Sequence, residues 1–318
     1  MRIGLANDEP RDIQALRQLI DSVPGYRVEW VARDGAEAVE KCRENKPDLI
    51  LMKLNLPVLD GVQATRVIAT HSPCPILILA PTLSGHSAQV FEAMGHGALD
   101  AVAVPVLSAK GEITDPEELL RKIAIIQRLI GGKPAAHASK RSRLGGPELP
   151  LVAIGASTGG PRALATILSG LPGRLGACVV IVQHVDLQFV SGLVSWLNDQ
   201  TELQVELAQE GGRPSLNRVF VAGGEDHLVL GADGAFHYQA EPREYPYRPS
   251  VDSLFHSLRR NWPRKDLAIL LTGMGRDGAA GLLELRRAGW HTIVQDEQSS
   301  TVFGMPKAAI ESGAATEI

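Results

Sequence analysis

The stretch "VAIGASTGGPRAL", Val152 to Leu164, decides the fold of the second half of the chain. Its first residues are an apolar run, which predicts a buried strand, and the glycines that follow predict a tight turn. Pro161 suits the first turn of a helix, because its φ is fixed and it has no N–H to leave unpaired. A strand that turns directly into a helix is typical of an α/β sheet, and Ser157 lies at the predicted junction.

Three interpretations fit Ser157 when this motif is taken alone. Gly155 to Gly159 matches the G-x-S-x-G pattern of a nucleophile elbow, in which a tight turn exposes the serine hydroxyl. The same glycines can cradle a phosphate at the start of a helix, with Asp186 as the ribose ligand of a bound nucleotide. The third interpretation is a tight turn with no chemical role, and the motif by itself does not choose among the three.

Two other predicted strands of this half end at side chains suited to catalysis. "CVVIVQH" is an apolar run that ends at His184, and "LAILLTGMGRDGAAG" is followed by a glycine turn that contains Asp277. Because the carboxyl ends of parallel strands line one crevice, these residues can converge with Ser157. Covalent catalysis would use Ser157 as the nucleophile, His184 as its base and Asp277 to orient the imidazole. Backbone N–H groups around Met274 and after Ser157 would bind the oxyanion.

The first half of the chain alternates short apolar runs with amphipathic stretches, which predicts a parallel sheet covered by helices. Apolar residues at helical spacing, such as Ile13, Leu16 and Ile20, indicate the helices. The pattern predicts five βα units, with strands at Arg2 to Ala6, Tyr26 to Ala32, Asp48 to Met52, Pro75 to Ala80 and Ala98 to Ala103.

A length of 318 residues predicts two domains. We expect residues 1–131 to form the first (βα)5 domain and residues 132–148, which are rich in Gly, Pro and small polar residues, to form a linker. Residues 149–318 then form a second, mainly parallel α/β domain, interrupted by a β-rich stretch near 204–240. The predicted fold class is therefore α/β, with two doubly wound domains.

Composition excludes several classes of protein. Hydrophobic residues make up 44% of the chain and charged residues 21%, as in ordinary globular proteins, and a net charge of -4 gives no reason to expect nucleic acid as a partner. No apolar run approaches the roughly 18 residues that cross a bilayer, so we expect a cytoplasmic protein without membrane insertion. Cys42, Cys74 and Cys178 are isolated among apolar neighbours and are expected to be reduced core residues, and we expect no metal and no cofactor.

Five ordered motifs resemble the catalytic domain of the chemotaxis protein-glutamate methylesterase family, CheB: "GASTGGPRAL", "VQHVD", "YRPSVDSLF", "LLTGMGRDGAAGL" and "VQDEQSSTVFGMPKAAI". The resemblance implies hydrolysis of glutamate γ-methyl esters on methyl-accepting receptors, with deamidation of receptor glutamines as a second activity. It implies a catalytic triad of Ser157, His184 and Asp277. Thr158 and the backbone of Met274 match family positions that orient the histidine and bind the oxyanion.

The same resemblance bears on two further residues and on partners. Arg248, in "YRPS", would either contact the acidic receptor segment or cap the helix that follows. His227 follows "AGGED" where the family often has "APG", and we expect a surface histidine with satisfied hydrogen bonds. A CheA-type histidine kinase is a second expected partner. The alternative function is a non-catalytic adaptor that binds receptor or kinase, and the complete set of serine, histidine and aspartate argues against it.

The first half resembles receiver domains, in which an aspartate at the end of the third strand accepts a phosphoryl group. In "PDLILMKLNLPVLDG", Pro47 to Gly61, that position is Lys53. Asn7 and Asp8 stand where the family has two acidic residues for Mg²⁺, so the carboxylates that attract this ion are mostly missing. We expect a degenerate receiver domain without phosphoacceptor, in which the Lys53 ammonium pairs with Asp8. The competing interpretation is that only the stem of Lys53 is buried and the ammonium reaches solvent.

Other parts of the receiver pattern also differ. The usual Ser or Thr after the fourth strand is matched by Ala80 or displaced to Thr82, and Val104 precedes Pro105 where the family has lysine. "VFEAMGHGALDAV", Val90 to Val102, resembles the methylesterases of Wsp-type surface-sensing pathways, in which receptor methylation tunes a cyclic-di-GMP output.

Overall fold

The computed structural model describes residues 1–80, 86–104, 116–129 and 149–318. The chain divides into two compact units, Met1–Lys133 and Pro134–Ile318. The predicted linker, residues 132–148, lies outside the described residues. Within the described ranges, no helix is long and apolar enough to cross a membrane.

Strands and helices alternate along the first unit, as the sequence predicts. Their bounds are β1 Arg2–Ala6, α1 Pro10–Asp21, β2 Arg27–Ala32, α2 Gly35–Glu44, β3 Leu49–Lys53, α3 Gly61–His71, β4 Ile76–Ala80, α4 Ser87–Gly95, β5 Asp100–Ala103 and α5 Glu117–Leu129. The strands described in this unit form one parallel sheet in the order β2-β1-β3-β4-β5. This doubly wound order places the carboxyl ends of β1 and β3 side by side.

The second unit also alternates strands and helices, apart from one hairpin. Its bounds are β6 Leu151–Ala156, α6 Gly160–Ser169, β7 Cys178–Gln183, α7 Leu187–Asp199, β8 Gln204–Leu207, β9 Arg218–Val221, β10 His227–Leu230, β11 Phe236–Gln239, α8 Val251–Asn261, β12 Leu267–Leu270, α9 Ala279–Arg287, β13 His291–Val294 and α10 Met305–Glu311. The strands β13-β12-β6-β7-β9-β8 form, in that order, a parallel sheet. The antiparallel pair β10-β11 stands apart from it.

The α/β fold class is therefore confirmed for both units, with one refinement. The stretch at 204–240 does not form a separate β layer, because β8 and β9 extend the parallel sheet beyond β7 and only β10 and β11 form a hairpin. Cys42, Cys74 and Cys178 are buried and free, as expected.

The order of strands in the second sheet determines where a site can form. β6 lies between β7 and β12 in the sheet. The chain leaves β6 toward β7 and later returns to place β12 on the opposite side of β6, so the strand order reverses at β6. In doubly wound sheets the crevice at such a reversal, outside the carboxyl ends of the strands, is the usual place for ligands. Ser157 is the residue that follows β6 and thus lies at this crevice.

Candidate active site

Ser157 occupies a tight passage between β6 and the loop after β12. Its backbone N–H donates to Thr272 O at 3.0 Å, and the residue is 7% exposed. Gly273 packs against it so closely that a Cβ built there would lie 2.7 Å from Ser157 Cβ and 2.3 Å from Met305 Sδ. Glycine is therefore required at 273 for the "TGMG" turn to pass beside the serine.

His184 follows β7, the strand next to β6. The two strands pair in register up to Ala156 and Gln183, and the His184 N–H then donates to Ala156 O at 3.0 Å. Neighbouring strands lie about 4.8 Å apart. Ser157 and His184 therefore lie side by side at the ends of two adjacent strands. They are far apart in sequence, since 26 positions already separate Ser157 from Gln183, the residue before His184.

Asp277 meets His184 from the loop that follows β12. His184 Nε2 lies 2.7 Å from Asp277 Oδ2, and their side chains are only 8% and 7% exposed. Because a carboxylate oxygen accepts, the proton of this hydrogen bond is on Nε2. The contact therefore specifies the tautomer of the imidazole.

Asp277 accepts further hydrogen bonds from the start of α8. Ser250 Oγ donates to Oδ1 at 2.7 Å, Val251 N to Oδ2 at 2.7 Å and Asp252 N to Oδ1 at 3.1 Å. Burial alone would raise the pKa of this carboxyl, but the hydrogen bonds from His184, Ser250 and Val251 lower it below its ordinary value. Asp277 is thereby held ionised beside the imidazole, at the positive end of a helix.

The second ring nitrogen of His184, Nδ1, has no hydrogen-bond partner among the described residues. It is buried, and none of the hydrogen bonds of these residues joins it to Ser157 Oγ. Catalytic hydrogen bonds often form only when substrate binds, so the missing bond to Ser157 does not argue against proton transfer. Nδ1 is the nitrogen of this ring that remains free to accept a proton.

Tyr247 covers the imidazole. Its ring stacks on that of His184 with a centroid separation of 4.3 Å and an angle of 13° between the planes. Stacked aromatic rings at this separation attract each other by about 0.5–1.5 kcal/mol beyond their area burial. Sequence reasoning gave this residue no role, although it is the first residue of the quoted "YRPS" segment.

Ser250 is a second residue that sequence reasoning missed. It is fully buried and is the N-cap of α8, where its Oγ accepts from Ser253 N at 3.4 Å while its hydroxyl donates to Asp277. A serine before an apolar helical stretch is a recognisable cap signal. That signal predicts the cap but not the second bond, which joins residues far apart in sequence.

The remaining predicted site residues lie around this centre without all touching it. Thr158 accepts through its carbonyl from Thr272 Oγ1 at 2.9 Å, and no hydrogen bond in the described structure joins its hydroxyl to His184. Met274 follows Gly273 in the turn beside Ser157 and is partly buried. Arg248 is exposed and its guanidinium donates to Arg243 O at 2.9 Å. The capping alternative for Arg248 is therefore wrong, because Ser250 caps α8.

Two other expectations change. His227 is not a surface residue: it is fully buried, with Nε2 3.0 Å from Pro242 O, while Nδ1 accepts from Ser250 N at 3.1 Å. Its two nitrogens are satisfied as expected, but by the backbone that leads into α8 rather than by solvent. Asp186, the ribose ligand of the nucleotide alternative, is the N-cap of α7 and accepts from Gln188 N at 3.1 Å.

In the first unit, an ion pair lies at the end of β3, where the resemblance to receiver domains leads us to expect the phosphoacceptor position. Lys53 Nζ lies 2.6 Å from Asp8 Oδ1, and the side chains of Lys53 and Asp8 are 16% and 40% exposed. β3 extends one residue further than predicted, because the Lys53 backbone pairs with Leu79 in β4. The ammonium therefore contacts a carboxylate, as the first interpretation expects, and Thr82 and Pro105 lie outside the described residues.

Fold and site together define an α/β protein of the serine-hydrolase class, with a receiver-type fold in the same chain. Residues 152–318 match the family described as CheB methylesterase, and residues 3–114 match the response regulator receiver domain. The chain belongs to the CheB methylesterase family.

Relatives and a solved structure agree with this membership. The chain is 46% identical over 319 residues to protein-glutamate methylesterase/protein-glutamine glutaminase 1 of Bordetella avium, covering 100% of this chain and 93% of that protein. It is 49% identical over 322 residues to the protein of the same name from Burkholderia lata, covering 100% and 95%. It resembles the crystal structure of the Thermotoga maritima CheB methylesterase catalytic domain with a TM-score of 0.51 and 36% identity, covering 54% of this chain and 92% of that one.

Proposed function

We propose that this protein is a protein-glutamate methylesterase that hydrolyses glutamate γ-methyl esters on methyl-accepting receptors through Ser157, His184 and Asp277. The observation that supports this most directly is the 2.7 Å contact between His184 and Asp277, one strand away from Ser157. Full-length similarity to proteins named protein-glutamate methylesterase/protein-glutamine glutaminase supports the substrate.

In the first step, Ser157 Oγ attacks the ester carbonyl carbon while His184 Nδ1 takes the hydroxyl proton. Nδ1 is assigned this role because Nε2 is engaged with Asp277. Asp277 stabilises the imidazolium that forms and does not itself take the proton. The protonated Nδ1 then gives its proton to the departing methoxide, so that methanol leaves and a glutamyl ester of Ser157 remains.

The oxyanion of the tetrahedral intermediate needs hydrogen-bond donors beside Ser157. The backbone N–H groups of Thr158 and Met274 are suited to this, because neither donates to another described residue. One such donor accounts for about 10²- to 10³-fold in rate. We assign this role to the backbone N–H of Thr158 rather than to its hydroxyl.

Hydrolysis of the acyl-enzyme repeats these steps with water. His184 Nδ1 removes a proton from water as it attacks the glutamyl carbonyl, and Ser157 leaves with that proton, which frees the receptor glutamate. The same sequence on a receptor glutamine would release ammonia in place of methanol. We propose this deamidation as a second activity, in agreement with the second part of the relatives' names.

The non-catalytic adaptor is the weaker alternative. An adaptor would have no use for a buried carboxylate that accepts from one imidazole nitrogen while leaving the other free. We further propose that the protein works in the cytoplasm, where such receptors present their methylated helices, and that a CheA-type kinase is a partner.

The test is methanol release from a methylated receptor by the full chain and by Ser157→Ala. Loss of such a nucleophile typically lowers kcat by about 10⁴- to 10⁶-fold. Ser169→Ala is the matched control, since this exposed serine at the end of α6 donates only to Thr166 O. Equal rates for wild type and Ser157→Ala would refute catalysis at this site.

A further inference from the structure

Gln183 is a buried amide between the two chain segments that contain the nucleophile and the base. It is the last residue of β7 and is 2% exposed. Its Nε2 donates to Ser157 O at 2.9 Å and to His184 O at 2.9 Å. An amide NH₂ group has two donors, so both are used on the backbones of these two residues.

This bridge lies where the hydrogen bonds of the sheet stop. The β6–β7 ladder ends with Ala156 and the His184 N–H, and beyond it the two chain segments separate into α6 and α7. Past that point, the Gln183 side chain links the carbonyl groups of Ser157 and His184. Their separation therefore depends on a side chain as well as on the sheet.

The surroundings of the amide also fix its orientation. A Cβ built on Gly160 would lie 2.0 Å from Gln183 Oε1, so the absence of a side chain there makes room for the amide. The opposite orientation would turn Oε1 toward two carbonyl oxygens, which repel it. Nε2 must therefore face Ser157 O and His184 O.

This orientation is unfavourable for the other polar atom of the amide. Gln183 Oε1 is buried and has no hydrogen-bond partner among the described residues. An unsatisfied buried acceptor costs about 1–3 kcal/mol, which an apolar side chain of similar shape would avoid. The amide is thus poor for stability alone, and its benefit has to come from the two carbonyls that it joins.

We propose that Gln183 is a positioning residue for the esterase reaction, which holds Ser157 and His184 at the separation needed for proton transfer. The inference rests on the proposed function. It gives the glutamine of the "VQH" segment a role beside that of the histidine. Misplacement of reacting groups by about 1 Å can lower a rate by on the order of 10²-fold, and this sets the scale of the expected effect.

The first experiment compares wild type with Gln183→Met in the full chain. Methionine keeps the length of the side chain but removes both donors. Two rates are measured: methanol release from a methylated receptor, resolved into kcat and KM, and labelling of Ser157 by a fluorophosphonate. We expect kcat and the labelling rate to fall by about 10- to 100-fold with KM within twofold, because the substrate surface is unchanged while the reacting groups are misplaced.

Asn261→Leu is the matched control. Asn261 Nδ2 donates to Leu230 O at 2.6 Å at the end of α8, so this variant also loses an amide donor to a backbone carbonyl. We expect it to lose stability while kcat and labelling stay at the wild-type level. A Gln183→Met protein that folds and keeps kcat and labelling within twofold of wild type overturns the proposal.

A second variant covers the case in which Gln183→Met does not fold. Gln183→Glu has the same shape, and its carboxyl regains one donor only when it is protonated. We expect its labelling rate relative to wild type to rise as the pH falls, and a ratio independent of pH overturns the proposal. Failure of wild type both to label and to release methanol would instead refute the esterase function, and this inference with it.

Discussion

His184 donates through Nε2 to Asp277 Oδ2 at 2.7 Å, which leaves Nδ1 as the ring nitrogen without a partner in the described structure. Serine proteases of the chymotrypsin type use the two nitrogens the other way round, with Nδ1 toward the aspartate. The aspartate and the serine reach the imidazole from different elements of the fold. Asp277 approaches from the loop after β12 and the start of α8, whereas Ser157 lies one strand from His184 on the sheet.

Asp277→Asn is expected to lower kcat by about 10³- to 10⁴-fold in the methanol-release assay. Four donors converge on the two carboxylate oxygens, from His184, Ser250, Val251 and the next residue of α8. The Asn side chain has only one acceptor oxygen. Its NH₂ group would face N–H and O–H donors, with which it cannot form these hydrogen bonds. Asp199→Asn at the exposed end of α7 is the control. A loss below tenfold would contradict a role for this carboxylate in orienting the imidazole.

Tyr247→Leu is expected to lower kcat by about 2- to 12-fold, and Tyr247→Phe to retain it. The stacked ring attracts the imidazole, and attracts it more when the imidazolium forms, by about 0.5–1.5 kcal/mol. The phenylalanine variant keeps the ring and serves as the control. If both variants lost activity equally, the hydroxyl rather than the stacking would be responsible.

The stability contribution of Asp252 is expected to change between about pH 4 and pH 6. Burial first, and then the charge of Asp277, raise the pKa of Asp252 from its ordinary value of 3.8 to about 6. The folded state therefore binds the proton more tightly than the unfolded state, so this stabilisation is complete below about pH 4 and is lost as the pH rises through 6. The full loss is at most about 3 kcal/mol.

Urea unfolding of wild type and Asp252→Asn at several pH values tests this. The free energy of unfolding of wild type minus that of the variant should fall as the pH rises from 4 to 6 and stay level above 7. Asn keeps one oxygen for the Gly281 N–H, which Asp252 Oδ1 accepts at 2.6 Å. A difference that grows with pH across this window would contradict the assignment.

Phosphodonors are expected to leave the intact protein unmodified. The end of β3 presents the Lys53 ammonium, paired with Asp8 at 2.6 Å, where a receiver domain presents a carboxylate. We expect acetyl phosphate with Mg²⁺ to change neither the mass of the protein nor its rate of methanol release. A receiver domain that has the aspartate, treated in parallel, shows that the reagent is active. A stoichiometric acyl phosphate on the wild-type chain would contradict the prediction.

The parts of the site that could be predicted from sequence are those at the ends of apolar runs. The runs before Ser157 and His184 indicate where strands stop, and parallel strands bring their carboxyl ends together. Lys53 stands out in the sequence for the same reason, because it is a charge at the end of a buried strand. These inferences need only local patterns and one rule of sheet topology.

The parts that could not be predicted depend on contacts between segments that no local pattern relates. Tyr247 and Ser250 act through a loop whose course is set by the buried His227, and that histidine was wrongly expected at the surface because its partners are backbone groups at Pro242 and Ser250. Gln183 shows the same limit. Nothing in "VIVQH" reveals that its amide reaches a carbonyl of the neighbouring segment.

The pairing of β6 with β7 limits where residues can be added to this enzyme or removed from it. Side chains alternate between the faces of a sheet, so adding or deleting one residue inside either strand would turn Ser157 or His184 away from the other. The hairpin β10–β11 and the exposed ends of the helices have no such constraint. Insertions, tags and fusions should therefore be tolerated at those edges, whereas the two central strands have to keep their residue count.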